Sequence, residues 1–329
     1  MIPIHLVTGF LGAGKTTFLN RLLRDPALAR TLVVVNEFGE AALDHLLYER
    51  LDGETLLLAS GCVCCTLRGD FVDGLLDILV RRGAAYDRVV VETSGLADPG
   101  PMLHALFADD HLAARVRLAG VLTLVDAVNG LDTLERHGEA RRQVALADRI
   151  ALTKTDLAPG VGLRERLAEL APYAEVVEAR DVDAAALLTE SVRPPQSFSP
   201  RAAHGGAQAR AFRSAAPIAP AAFARFLTLL GELAGPRLLR VKGLVATSDD
   251  PGRPWLIQGA QHVFAPPERL PRWPAGASET MLVVIGEDVA APTQRLWDAL
   301  TGVVAPDAPD WAAVADNPLA ISAGGGLLG

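Results

Sequence analysis

Gly9-Phe10-Leu11-Gly12-Ala13-Gly14-Lys15-Thr16-Thr17 follows an apolar run, residues 2–7, and opens into the helical pattern Phe18-Leu19-Asn20-Arg21-Leu22-Leu23. The spacing is G-x-x-x-x-G-K-[ST], and each position has a physical job. Gly9, Gly12 and Gly14 free the backbone to curl, so that the N–H groups of 9–17, with Ala13 and Thr17 among them, can close around a polyphosphate. The helix that follows points its positive dipole end at the same place. Lys15 can reach the β and γ phosphates, and the Thr16 hydroxyl can ligate Mg²⁺. Strand, loop and helix in this order predict a phosphate-binding loop and, with it, an α/β fold.

Outward from that loop, residues 1–192 alternate between two kinds of pattern. Short apolar runs at 2–7, 31–35, 55–58, 88–92, 120–126, 149–153 and 175–178 mostly lack alternation, as strands covered on both faces do. Helical patterns lie between them at 16–24, 70–82, 138–147 and 163–170. This order predicts a mostly parallel sheet covered by helices, with ligands at the carboxyl ends of its strands. Residues 193–208, rich in proline, serine and glycine, read as a linker. Residues 209–305 read as a smaller C-terminal α+β domain, with strands at 209–213, 238–246, 254–258, 261–264 and 279–285 and helices at 220–233 and 292–300. The end, 306–329, is rich in alanine, proline and glycine and reads as a loosely held tail.

Composition narrows the function. The chain has 329 residues, half of them hydrophobic, and a formal net charge of -8. That balance argues against a nucleic-acid partner held by bulk charge. No apolar run approaches a membrane span. The N-terminus enters its first strand without a basic leader, so a cytoplasmic protein is expected. The only cysteines, Cys62, Cys64 and Cys65, fall within four residues. Such a cluster is a poor disulfide framework, and in a reducing compartment it points to metal or redox chemistry.

Other stretches carry chemistry. In Val89-Val90-Val91-Glu92-Thr93-Ser94-Gly95 a buried strand ends in an acid. Glu92 there would support Mg²⁺ or its water shell, and Gly95 would let a backbone N–H approach the γ-phosphate. In Val35-Asn36-Glu37-Phe38-Gly39-Glu40, Glu37 and Glu40 are either metal ligands or parts of a solvated loop. Leu152-Thr153-Lys154-Thr155-Asp156 resembles the guanine-reading N-K-x-D, with Thr153 where asparagine is usual. A carboxylate at Asp156 can accept from guanine N1–H and its amine, whereas adenine offers no such pair of donors. Lys154 would lay its aliphatic stem along the base. In Gly61-Cys62-Val63-Cys64-Cys65, three thiolates suit Zn²⁺, Co²⁺ or Ni²⁺ and leave a fourth position open, which fits transfer better than permanent structure.

Together, stretches 9–17, 36–40 with Asp44, 61–65, 92–99 and 153–156 resemble the CobW-like P-loop GTPases of metal trafficking, and most closely their YjiA-like branch. The resemblance extends into 209–301, like that family's C-terminal domain. It implies a GTPase of slow intrinsic turnover that binds GTP with Mg²⁺ and holds a transition metal at Cys62, Cys64 and Cys65. Assembly of that site would be gated by the nucleotide, and the metal would pass to a client metalloprotein or cofactor-assembly enzyme. The His-rich linker of many members is reduced here to His204. Two other readings use the same residues: a P-loop ATPase or small-molecule kinase, and a non-catalytic metal buffer or redox sensor.

Overall fold

The computed structural model describes residues 1–37, 55–59, 67–172, 174–189, 207–261, 263–274 and 277–302. Through residue 187 the order is β1 (Ile2–Thr8), α1 (Lys15–Leu23), β2 (Thr31–Glu37), β3 (Thr55–Ala59), α2 (Leu67–Arg82), β4 (Arg88–Thr93), α3 (Gly100–Ala108), α4 (Asp110–Ala113) and β5 (Val116–Asp126). It continues with α5 (Gly130–Arg136), α6 (Gly138–Ala145), β6 (Arg149–Thr153), α7 (Val161–Leu170), β7 (Glu175–Glu178) and α8 (Ala184–Leu187). The strands form one parallel sheet in the order β3-β2-β4-β1-β5-β6-β7. The phosphate loop leaves β1, the strand from which the sheet is built outward in both directions. That is the position at which an open parallel sheet forms its ligand crevice.

The apolar runs work because successive side chains point to opposite faces. Ile4, Leu6, Leu32, Val34, Val89 and Val91 enter one core with Leu75 of α2 and Leu103 of α3. Val7, Val33, Val35 and Val90 enter the other, with Phe18, Leu19 and Leu22 of α1 and Leu187 of α8.

Elements of this unit that depart from the sequence pattern include β5 and the helices α3, α4, α5 and α8. β5 begins at Val116, not at 120, and pairs Ile2 with Val116 before a register shift between Ile4 and His5. The charged Arg117 hides that extension. Helices α3 and α5 were assigned to no element by periodicity. Met102, Leu103, Ala105, Leu106 and Phe107 of α3 are all buried. A helix covered on most sides shows no apolar stripe. Its start is nevertheless written in the chain. Proline occupies its first turn, and the Gly100 N–H donates to Asp98 Oδ1 at 2.8 Å.

The second unit contains β8 (Ala207–Ser214), α9 (Pro220–Ala234), β9 (Leu238–Val245), β10 (Trp255–Ala260), β11 (Val263–Phe264), β12 (Glu268–Arg269), β13 (Thr280–Glu287) and α10 (Ala290–Thr301). Its sheet runs β11-β10-β9-β13-β8, with β12 beside β10, and its pairs are antiparallel. Phe212, Phe226 and Trp297 meet in its core, with ring centroids 5.2 and 5.9 Å from that of Trp297. Its other sheet face joins the first unit: Leu239, Ala260, Val283 and Ile285 share the core of Ile4 and Leu103. At that junction the Asp148 carboxylate accepts from Arg240 Nη2 at 2.6 Å and Lys242 Nζ at 2.7 Å. Burial works against the charged carboxylate, but the two cations and the Val121 N–H hold its pKa at about 2. Among the described residues no helix is long and apolar enough to cross a membrane.

Candidate nucleotide site

The phosphate loop is shaped by its glycines at two places. Gly9 crosses β5 so closely that a Cβ there would collide with the Leu124 carbonyl oxygen. Gly14 caps α1 with φ +93°, a conformation that a side chain disfavours. The α1 backbone then begins at Lys15, with Phe18 N–H donating to the Gly14 carbonyl at 2.9 Å. Lys15 is buried, and its Nζ donates to the Gly9 carbonyl at 2.9 Å across the loop. The ammonium therefore sits inside the curl, where phosphate oxygens could replace the carbonyl. Thr16 is half-buried in the first helical turn and Thr17 is exposed.

β4 delivers the acid. Glu92 is buried and in register with Val7 of β1. Beside it the Thr93 hydroxyl lies 2.8 Å from that of Thr8. The Thr16 hydroxyl and the Glu92 carboxylate are both hard oxygens of the kind Mg²⁺ prefers. The chain then turns at 94–97, closed by Ala97 N–H on the Ser94 carbonyl at 3.1 Å. Gly95 is pressed against the phosphate loop: a Cβ on it would stand 2.9 Å from Leu11 N and 3.0 Å from Lys15 Nζ.

The third wall comes from β6. Thr153, the departure from asparagine, donates its hydroxyl to the Ala13 carbonyl at 2.8 Å. It ties the base-side strand directly to the phosphate loop. Lys154 adopts φ +57°, and its Nζ meets Asp126 Oδ2 at 2.7 Å. Gly14, Thr17, Arg21, Lys154 and the exposed Asp156 line one cavity of about 300 Å³. The loop that would grip phosphates and the residues expected to read a base thus share one crevice.

Asp126 was not singled out from sequence. It ends β5 opposite Thr153 and accepts from Lys154, from Val128 N–H at 2.8 Å and from Asn129 Nδ2 at 3.1 Å. Burial opposes its charge, yet these hydrogen bonds hold its carboxyl below the usual range. The signal was available: like Glu92, it is an acid closing an apolar strand. Gln143 of α6 was also missed, and no local pattern marks it.

Of the proposed metal ligands of the thiolate site and its neighbouring acids, Glu37 alone falls among the described residues. Glu37 closes β2 in register with Ala59, the last residue of β3. Cys62, Cys64, Cys65 and Glu40 lie outside the described residues, as does Asp44. The strand order puts β3 three places from β1, roughly 14 Å at ordinary strand spacing. The cysteine stretch is bounded by the end of β3 and the start of α2. Among the described residues no three His, Cys, Asp or Glu side chains cluster as a metal site.

Comparison with known proteins agrees with this architecture. Residues 3–178 match the family model "CobW/HypB/UreG, nucleotide-binding domain", and 207–304 match "Cobalamin synthesis protein cobW C-terminal domain". The chain is 33% identical over 320 residues to zinc chaperone YjiA of Escherichia coli, covering 92% of this chain and 98% of that protein. It is 32% identical over 352 residues to zinc chaperone CobW of Pseudomonas aeruginosa, covering 91% and 92% respectively. The crystal structure of Zn(II)-bound YjiA GTPase from E. coli superposes with a TM-score of 0.67 at 29% identity, over 92% of this chain and 99% of that one.

Proposed function

The chain belongs to the CobW/HypB/UreG nucleotide-binding family, and from that membership we propose that it is a GTP-hydrolysing carrier of Zn²⁺. One observation carries the nucleotide half: Gly14 and Thr17 of the phosphate loop line the same cavity as Lys154 and Asp156. A nucleotide that fills it would lay its phosphates over 9–17 and its base against 154–156. Asp156, exposed to that cavity, would accept the two guanine donors. Lys154, steered by Asp126, would form the wall along the base. Thr16 and Glu92 would hold Mg²⁺, which supplies charge neutralisation at the β and γ phosphates. Lys15 would exchange the Gly9 carbonyl for phosphate oxygens.

The metal is cargo, and the relatives' names support zinc as the ion carried. Cys62, Cys64 and Cys65 are the proposed thiolate ligands, with Glu37 and Glu40 as neighbouring acids. Thiolate ligation by zinc would release protons on binding. Because the cysteine stretch and Gly95 both follow strands that end at the nucleotide edge, a γ-phosphate could bias both loops at once. Delivery to a client metalloprotein or cofactor-assembly enzyme completes the reading.

The nucleotide half is tested by comparing GTP with ATP for binding and multiple-turnover hydrolysis. GTP should bind at least tenfold more tightly, and Asp156→Asn should cost GTP about 1.5–3 kcal/mol, the size of a charge-assisted hydrogen-bond pair. ATP binding equal to GTP binding in both proteins would favour the ATPase or kinase reading. GTP binding without turnover would favour a metal buffer or sensor.

A further inference from the structure

Gln143 is one of the few polar side chains buried within the parallel-sheet unit, at 1% exposure. It sits on α6, which is fixed to the sheet by the Thr123 hydroxyl donating to the Gln143 carbonyl at 2.8 Å. Its Nε2 donates to two backbone carbonyls of the turn after β4, Gly95 at 3.1 Å and Ala97 at 3.0 Å. A carboxamide nitrogen has two N–H donors, and both are spent on this turn. Its Oε1 is buried without a hydrogen-bond partner. Buried polar atoms are nearly always paired, so an orphan asks for a reason. The reason on view is the turn itself: the amide is oriented to satisfy Gly95 and Ala97 at the cost of its own oxygen.

The consequence falls on Gly95. Its carbonyl is drawn toward α6, and in a trans peptide the following N–H, that of Leu96, points the opposite way. On its other flank Gly95 is wedged against Leu11 and Lys15. It is therefore held from α6 on one side and braced by the phosphate loop on the other. Next along the turn, Arg142 Nη1 reaches Asp98 at 3.4 Å and its Nη2 reaches Glu287 of β13 at 3.5 Å. The same helix thus also touches the C-terminal sheet.

We propose that Gln143 is a positioning residue for γ-phosphate recognition: it clasps the 94–97 turn so that Gly95 stands beside Lys15 in the triphosphate-reading arrangement. This rests on the GTP reading above and deepens it. A GDP complex needs no contact at the γ position, so the clasp should matter for the triphosphate and little for the diphosphate. It also fixes the residue type. Leucine fills the space but takes the amide donors from the buried Gly95 carbonyl and the half-buried Ala97 carbonyl. Asparagine keeps the donors on a shorter stem and should recover part of the effect.

The test is a titration of the full chain with Mg²⁺ and either a non-hydrolysable GTP analogue or GDP, for the native protein, Gln143→Leu and Gln143→Asn. Single-turnover GTP hydrolysis is followed in the same proteins. The expected result for Gln143→Leu is roughly tenfold weaker analogue binding, the scale of one buried hydrogen bond, with GDP affinity within about twofold, and slower hydrolysis at saturating GTP. Gln143→Asn should fall between Leu and native, and it carries the same test if the leucine variant does not fold. Equal weakening of analogue and GDP would reduce Gln143 to a packing role and overturn the proposal. So would unchanged affinity and rate in both variants. Failure of the native chain to bind GTP would instead overturn the nucleotide reading, and this inference with it.

Discussion

The carboxyl edge of the parallel sheet and the core of the C-terminal sheet are built by opposite rules. At the first, Thr8, Thr93, Asp126 and Thr153 end their strands in polar side chains that bond one another, Lys154 or the phosphate loop. There too sit Lys154 at positive φ and the orphaned oxygen of Gln143. At the second, Phe212, Phe226, Trp297, Leu282 and Val284 fill an apolar interior. Most of its ion pairs are at the surface, as with Arg213 and Glu279. Among the described residues the orphaned polar atoms fall in the parallel-sheet unit, whereas non-glycine residues at positive φ occur in both, at Lys154 in the first and at Gln261 and Asp288 in the second. The junction between the units mixes the two, since Asp148, Arg240 and Lys242 form a charged cluster beside the apolar contacts of Leu239, Ala260, Val283 and Ile285.

Mutations should separate the two rules. Trp297→Ala should lower unfolding free energy by about 4 kcal/mol through lost burial and a residual cavity, read from denaturant midpoints. Nucleotide affinity of the folded fraction should stay within about twofold, since the core around Trp297 and the nucleotide cavity have no residue in common. Asp156→Asn should do the reverse, weakening GTP with the midpoint unmoved. A Trp297→Ala protein that folds yet loses nucleotide would break the division.

The seam comes next. Asp148→Asn leaves Arg240, only 5% exposed, without a carboxylate. Uncompensated buried charge should cost about 3 kcal/mol, against about 0.3 kcal/mol for Arg81→Ala at the exposed pair with Asp77. Equal costs in the two variants would show that the seam is not buried in solution.

His5, on β1 beside that seam, gives a smaller, pH-dependent effect. Burial, then the charges of Arg88 and Arg117, lower its pKa from 6.5 to about 4. Between those values the unfolded chain binds a proton that the folded chain refuses, so stability falls as pH drops from 6.5 toward 4. By pH 5 the loss should be about 2 kcal/mol. Chemical denaturation from pH 7 to 5 should show a flatter slope in His5→Gln than in the native protein. The Asp148 carboxyl does not contaminate this window, because its own loss begins only below the ordinary carboxylate value.

Much of the nucleotide edge could be read without coordinates because its parts are local. The phosphate loop is nine consecutive residues, and the strands announce themselves as apolar runs ending in Glu92 or Thr153-Lys154. What could not be read are pairings across the fold. Lys154 and Asp126 are 28 positions apart, Gln143 and Gly95 48, and Arg240 and Asp148 92. A glutamine or an aspartate carries no sign of a partner that distant. Helix α3 escaped for another reason: burial on most sides erased the periodicity by which helices are recognised. Thr153 reads in sequence as a departure from asparagine, and in the fold it is the hydroxyl that fastens β6 to the phosphate loop.

In the proposed mechanism, nucleotide and metal are bound by one coupled machine. Its most direct test is the Zn²⁺ affinity of the full chain with Mg²⁺ and a non-hydrolysable GTP analogue, and again with GDP. The same titrations are run with Cys62→Ser, Cys64→Ser and Cys65→Ser combined. Coupling must be reciprocal, so the analogue should tighten zinc at least tenfold, about 1.4 kcal/mol, and the gain should vanish with the cysteines. Zinc affinity equal in both nucleotide states, or a gain that survives loss of all three thiols, would contradict the account.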